Sequence, residues 1–208
     1  MRTRRNPSSR IGRRPTTTRD RIAAVGIDLF ATRGFDDTSV DDIAEAAGIA
    51  RRTFFRYFPS KNAVPWGDFD AHLSEMRTLL EEMPDDMSML DSLVSAVLAF
   101  NTFPPEVAAG HRRRMKLIFE VPALQAYSVV MYDGWRKVIA EYVAARLGLD
   151  PGDQLPRTIG YLMLGVAIAA YETWLTDESL DLIDLLSNGS RVLHTGIAEL
   201  PPPTTDRG

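Results

Sequence analysis

Residues 51–61 read RRTFFRYFPSK and set four cations, Arg51, Arg52, Arg56 and Lys61, among four rings, Phe54, Phe55, Tyr57 and Phe58. Eighteen aromatics serve the whole 208-residue chain, so this density needs a cause. A guanidinium fork matches O6 and N7 of guanine, and one bidentate contact is worth about 1–3 kcal/mol of discrimination. Rings between cations also make a stacking platform for single-stranded nucleic acid. Upstream, Thr38 and Ser39 are hydroxyls that suit a phosphate if a helix begins there. Other chemistry is thin. The chain has no cysteine, which excludes disulfides and thiolate metal sites. His72, His111 and His194 lack metal-ligand spacing. No Ser-His-acid set or phosphate-cradling glycine loop is present, and His72 with Glu75 is a weak pair. An enzyme is therefore the poorer reading, and no cofactor is expected.

Charge points the same way. Residues 1–66 hold 13 Arg/Lys against 7 Asp/Glu, and the remainder 11 against 21. A basic head on an acidic body suits a protein that presents one end to a polyanion. Residues 1–17 carry six arginines, two prolines and no acid. They read as a flexible basic arm, solvated or lying in a minor groove through Arg13 and Arg14. The longest charge-free apolar run, Ile159–Tyr171, is 13 residues. That is short of the roughly 20 that span a bilayer. No apolar signal region follows the basic N-terminus, so the expected location is cytoplasmic.

The elements that must position these groups all read as helices. Ile22, Val25, Leu29 and Phe30 recur at helical spacing, and Gly34 offers a left-handed stop. Ser39 is a plausible N-cap, with Asp41 and Asp42 in the first turn. Gly48 ends that helix and another starts near Ala50. Two short helices joined by a turn with Gly describe a helix-turn-helix, whose second helix enters the major groove. On it Phe54 and Phe58 share an inward face, leaving Arg51, Arg52, Thr53, Phe55 and Tyr57 around the outside. The sequence then suggests a long helix from Ser60 to about Met83, awkward at Pro65. Helices follow over Met87–Phe100, from about Glu106 to Phe119, from Pro122 to Gly148 and over Pro156–Thr176. A last one, capped by Ser179, runs to about Leu200.

The order of a helix ending in Gly-Phe, then Thr-Ser-Val-Asp-Asp-Ile-Ala, Ala-Gly-Ile and Thr-Phe-Phe-Arg-Tyr-Phe-Pro-Ser-Lys resembles the DNA-binding domain of the TetR (tetracycline repressor) family of bacterial regulators. The match covers residues 18–62. Phe-Phe-Arg-Tyr-Phe-Pro-Ser-Lys followed by Trp-Gly-Asp-Phe-Asp is similar, more loosely, to the actinobacterial branch that includes the mycofactocin-system regulators. The resemblance implies an all-α fold: a three-helix DNA-binding domain at 18–62, an effector-binding and dimerisation domain at 63–200 and a tail at 201–208. It also implies a homodimer acting on double-stranded DNA. Carried over by position, Thr38 or Ser39, Thr53 and Lys61 would contact phosphates, and Arg51, Arg52 and Tyr57 would lie at or near the groove. Phe55 departs from the family, which often has Tyr there, with a hydroxyl that bonds a phosphate.

Bulky residues of the C-terminal part could line an effector pocket: Trp66, Phe69, Met76, Phe100, Phe103, Met115, Phe119, Tyr127, Met131, Trp135 and Trp174. Plain core packing is the simpler account of any one of them. As a set they suit a hydrophobic or acyl-chain ligand. His111-Arg112-Arg113-Arg114 is a solvated face or, alternatively, supplies Arg112 at a pocket mouth for a phosphate, as an acyl-CoA would require. Leu182, Leu186, Gly189, Leu193, Gly196 and Leu200 step by 4 and 3 along one face, a heptad-like seam. Gly165 and Ala169 permit close helix approach. These predict the dimer interface, with intrachain packing as the alternative. The expected function is a ligand-responsive homodimeric repressor on a palindromic operator. An activator, a single-stranded nucleic-acid binder or an enzyme are the alternatives, and the single-strand reading requires Phe54 and Phe58 to be exposed.

Overall fold

Residues 18–196 are described by the computed structural model of the protein. They form α1 (Thr18–Arg33), α2 (Val40–Ala46), α3 (Arg51–Tyr57), α4 (Phe69–Glu81), α5 (Met89–Phe100), α6 (Pro105–Glu120), α7 (Pro122–Leu147), α8 (Gln154–Thr176) and α9 (Leu182–Thr195). Among the described residues there is no strand. The expected arm with Arg13 and Arg14, Leu200 and the tail at 201–208 lie outside them.

The first three helices are set by local signals. Gly34, at φ 94°, stops α1, and Phe35 turns back onto Phe30 with ring centroids 4.9 Å apart. The Ser39 hydroxyl accepts from the Asp42 amide at 3.1 Å, and the Asp42 carboxylate accepts from the Ser39 amide at 2.8 Å. This reciprocal capping box starts α2. Gly48, at φ 68°, makes the turn into α3. Phe54 and Phe58 are 0% and 1% exposed and join Ile22, Phe30 and Ile43 in one core. Burying a Phe side chain contributes about 1.5–3 kcal/mol, so these two rings hold α3 in place. Their burial removes the single-strand stacking reading.

The long helix expected from Ser60 to Met83 is broken. Lys61–Trp66 is a 3-10 turn containing Pro65, Gly67 takes φ 58°, and α4 begins only at Phe69. Pro65 has no N–H to continue an α-helical ladder, and Gly67 stands outside the right-handed region. The turn presses on α1: a Cβ at Gly26 would sit 2.5 Å from Val64 Cγ1.

The body is built on an antiparallel α7–α8 hairpin closed through Gly148 in the left-handed conformation. Gly160 lets α8 approach α7, where a Cβ would lie 3.1 Å from the Arg136 carbonyl oxygen. By length and composition α8 could cross a membrane. Its inner face, with Met163, Leu164, Ala170, Tyr171 and Trp174, is instead buried in the body core. Asp181, not Ser179, caps α9, and Ser179 bonds the Asp177 carboxylate. The two cores meet on α7, where Leu124 belongs to the head and Trp135 and Val138 to the body.

Candidate nucleic-acid interface and ligand cavity

On α3 the exposed strip is Arg51, Arg52, Phe55 and Arg56, with Thr53 and Tyr57 half-buried. Arg51 is ion-paired with Asp41 of α2 and lies 5.5 Å from the Phe55 ring centroid. Arg56 donates to the Tyr57 hydroxyl at 3.3 Å and covers its ring. Phe55 is 45% exposed and stands edge-on to Phe54. The helix therefore offers guanidinium groups and one bare ring. Arg56 escaped the sequence reading of the outward face, although its spacing of four from Arg52 places both on one side.

Two expected phosphate ligands are already engaged. Thr38 is fully buried, and its hydroxyl donates to the Gly34 carbonyl at 2.7 Å. Lys61 Nζ donates to the carbonyls of Phe35 (2.7 Å), Thr38 (3.0 Å) and Asp36 (3.4 Å) and lies 4.4 Å from the Phe35 ring centroid. Carbonyls of the tight α1–α2 loop draw both groups inward. Ser39 stays exposed, but its hydroxyl also donates to Asp42. The Ser39 hydroxyl, and then its amide, hold the Asp42 carboxyl below its usual range.

The head is fastened to the body through α1. Arg113 of α6 pairs with Asp28 at 2.8 Å, and Arg19 pairs with Asp68 at 3.4 Å. Two residues along α6 from Arg113, Met115 faces inward onto a cavity of about 90 Å³. Trp66, Phe69, Phe100, Phe103, Met115, Phe119 and Trp135 of the predicted set line it. Met76, Tyr127, Met131 and Trp174 pack in or against the body core without lining it. Arg112 is also elsewhere: it stacks 4.0 Å over Trp174 and donates to the Trp174 carbonyl at 2.6 Å, closing the end of α8. The inward cation is Arg114. A helix turns about 100° per residue, so Arg114 shares a face with His111 and Met115 while Arg112 does not. That phase was the available signal.

A buried polar chain crosses the cavity wall. The Asn101 side-chain amide donates to the Val97 carbonyl at 2.7 Å, Tyr171 donates to Asn101 Oδ1 at 2.7 Å, and His111 Nε2 lies 2.8 Å from the Tyr171 oxygen. Phe103 stacks on His111 with centroids 4.0 Å apart. Burial, then Arg114 and His72, push His111 down to about 3, so its ring is neutral. Burial raises Tyr171, which keeps its proton.

The heptad-like stripe on α9 turns inward. Leu182 and Leu186 are 6% and 0% exposed in the body core, Leu193 packs against it, and a Cβ at Gly189 would lie 3.1 Å from Val166 of α8. Spacing marks a face as apolar without saying which partner covers it. Gly196 follows α9 at φ 71° and is exposed. Gly165 and Ala169 are exposed too, on an outer α8 face that includes Leu155 and Leu162, each 51% exposed.

Residues 22–64 match the family model for bacterial regulatory proteins of the tetR family, and residues 87–198 match the MftR C-terminal domain. The chain is 52% identical over 192 residues to a Mycobacterium tuberculosis protein assigned as the mycofactocin biosynthesis transcriptional regulator MftR, spanning 92% of this chain and 97% of that one. Among solved structures it is similar to Thermus thermophilus FadR in complex with lauroyl-CoA. There the TM-score is 0.55, the identity 23%, and 91% and 99% of the chains are covered. It is also similar to Bacillus subtilis FadR in complex with stearoyl-CoA, with TM-score 0.59, identity 18% and coverage of 85% and 98%. At these identities the likeness to the two solved structures is one of fold.

Proposed function

Since the chain belongs to the TetR family of DNA-binding transcriptional regulators and is not an enzyme, we propose that it is a homodimeric cytoplasmic repressor. In this reading it leaves a palindromic operator when a hydrophobic or acyl-chain molecule, such as a long-chain acyl-CoA, enters the cavity beside Trp66. Arg51, Arg52, Phe55 and Arg56 meet the major groove, with Thr53 and Tyr57 at its edge. The dimer forms through the outer face of α8, where Leu162, Gly165 and Ala169 are exposed.

One observation carries the proposal: α6 both lines the cavity and grips the reading head. Met115 and Phe119 face the ligand space, while Arg113 holds Asp28 of α1. A small-molecule site ordinarily offers about 300–1,000 Å³. A long acyl chain must therefore part α4, α6 and α7 around the present 90 Å³, and α1 moves with α6. The two α3 helices then lose the spacing of roughly 34 Å that successive major grooves require. The lauroyl-CoA and stearoyl-CoA held by the two FadR proteins support this ligand class.

Fluorescence anisotropy on the palindromic duplex beside the protein's own gene tests this. Saturating lauroyl-CoA or stearoyl-CoA should weaken binding at least tenfold, about 1.4 kcal/mol of coupling. Unchanged binding under both would refute the effector class, and failure to prefer the palindrome would refute the repressor reading.

A further inference from the structure

Arg51 opens α3 and is held from two sides. The Asp41 carboxylate, in the first turn of α2, accepts a hydrogen bond from its Nη1. The Phe55 ring, one helical turn further along α3, has its centroid 5.5 Å from Arg51 Cζ, within reach of a cation–π contact. That ring is itself braced. It meets Phe54 edge-on with centroids 5.4 Å apart, and Phe54 is fully buried in the head core. A chain of contacts thus runs from the core through Phe54 and Phe55 to one guanidinium group, and a carboxylate from the other helix of the pair closes on it.

As a source of stability the ion pair counts for little. The Arg51 and Asp41 side chains are 59% and 63% exposed, and pairs in that setting contribute least. The helix dipole favours an acid in the first turn of α2, but that accounts for Asp41 on its own helix and not for its contact with α3. On a surface that approaches DNA, an acid also repels phosphates and weakens binding to every sequence. What Asp41 and Phe55 do together is fix the direction of a long side chain. A free arginine surrenders its rotamer freedom on docking, and one already fixed loses less. A guanidinium group has five N–H donors. With Nη1 on Asp41, the edge formed by Nε and Nη2 remains, and two parallel donors on one edge match O6 and N7 of guanine.

We infer that Arg51 is the guanine-reading residue of α3 and that Asp41 and Phe55 are its positioning residues, the carboxylate setting its direction and the ring supporting it from below. The inference rests on the reading that α3 meets the major groove and names what is recognised there: a guanine in each half of the operator, seen by its O6 and N7 edge. Asp41 then lowers affinity for DNA at large while raising it for one sequence, which is how a repulsive group creates specificity. The Phe55 ring gains a role that needs no hydroxyl.

Fluorescence anisotropy of the full chain on the palindromic duplex beside its own gene tests this. Each guanine of one half-site is replaced in turn by 7-deazaguanine, which has carbon in place of N7. Wild-type protein should lose about fivefold to tenfold in affinity at one guanine. Arg51→Lys keeps the charge without the fork and should remove that penalty. Asp41→Asn should bind a scrambled duplex about twofold to threefold more tightly, while its 7-deazaguanine penalty falls below about twofold. Phe55→Leu should lose the penalty likewise, and Phe55→Tyr, which keeps the ring, should retain it. An Arg51 that only meets phosphate predicts tighter binding of Asp41→Asn to both duplexes with the penalty unchanged. An Asp41 that only supports α2 predicts equal weakening on both, again with the penalty unchanged. An unchanged penalty therefore overturns the inference. The cap of α2 is Ser39 with Asp42, so Asp41→Asn should fold as the wild type does, with circular dichroism as the check. If it does not fold, the two Phe55 variants decide, and equal penalties in both overturn the inference. Wild-type binding to the palindrome with no sensitive guanine overturns it while leaving the repressor reading intact, and failure to prefer the palindrome overturns both.

Discussion

Replacing Lys61 by Met separates two roles that family position and structure assign to the same ammonium group. Lys61 Nζ donates to three loop carbonyls and covers the Phe35 ring. A hydrogen bond from a charged donor contributes about 1.5–3 kcal/mol net, and a cation over a ring about 0.5–1 kcal/mol at exposed sites. Because Lys61 is part-exposed and Met keeps the aliphatic stem, the expected loss is about 2 kcal/mol. For a protein of this length that lowers Tm by about 4–8 °C. The salt dependence of operator binding is the second readout. Each phosphate neutralised contributes a slope of about −0.9 in log K against log salt. With Lys61 committed to the α1–α2 loop, Lys61→Met should lower Tm and leave the slope unchanged. An unchanged Tm with a slope shallower by about 0.9 per half-site would refute the reasoning and return Lys61 to the phosphate backbone.

Phe55→Tyr restores the hydroxyl common at this position. Since the ring is exposed, stability should stay within about 0.5 kcal/mol, while anisotropy should show operator affinity rising about threefold to tenfold through one charge-assisted hydrogen bond. Leu186→Ala should cost about 2–5 kcal/mol in urea melts without changing the oligomer seen by light scattering. Leu162→Glu should change stability little and give a monomer; the opposite pattern would make α9 the seam. His111 titrates well below its ordinary value when folded, so the unfolded chain takes the proton first. Its contribution is present above pH 6.5 and lost as pH falls toward 3, by at most about 1.4 kcal/mol per pH unit. In His111→Phe this part of the acid limb should flatten in urea melts at pH 7 and pH 5.

What could be read from sequence was what local rules decide. Ser39 and Asp42 lie three residues apart, and the cap they form needs nothing from elsewhere in the fold. The phase of Phe54 and Phe58 needs only a helix with one wet side. The partners of Lys61 and Thr38 are not legible, because they are backbone carbonyls, which leave no mark in a residue pattern. Pro65 marks the weak point in the sequence, but the break is completed by Gly67, whose positive φ leaves no mark in a residue pattern. On α9 the period is legible and the partner is not, since an intrachain neighbour and a second subunit ask for the same leucines. The cavity's aromatic wall was mostly legible. Its polar chain was not, because Asn101, His111 and Tyr171 come from separate places in the sequence and become a set only in the fold.

The span of α7 has a consequence for exchange between relatives. At 26 residues it is about 39 Å long, and its first turns supply Leu124 to the head core while its middle supplies Trp135 to the body. The smallest transplantable reading unit is therefore discontinuous. A chimera spliced after residue 62 would leave behind Ala63, Val64 and the Leu124 plug, opening the head core on the side that meets the body. Grafts that carry residues 18–66 together with 117–127 should keep the head core closed.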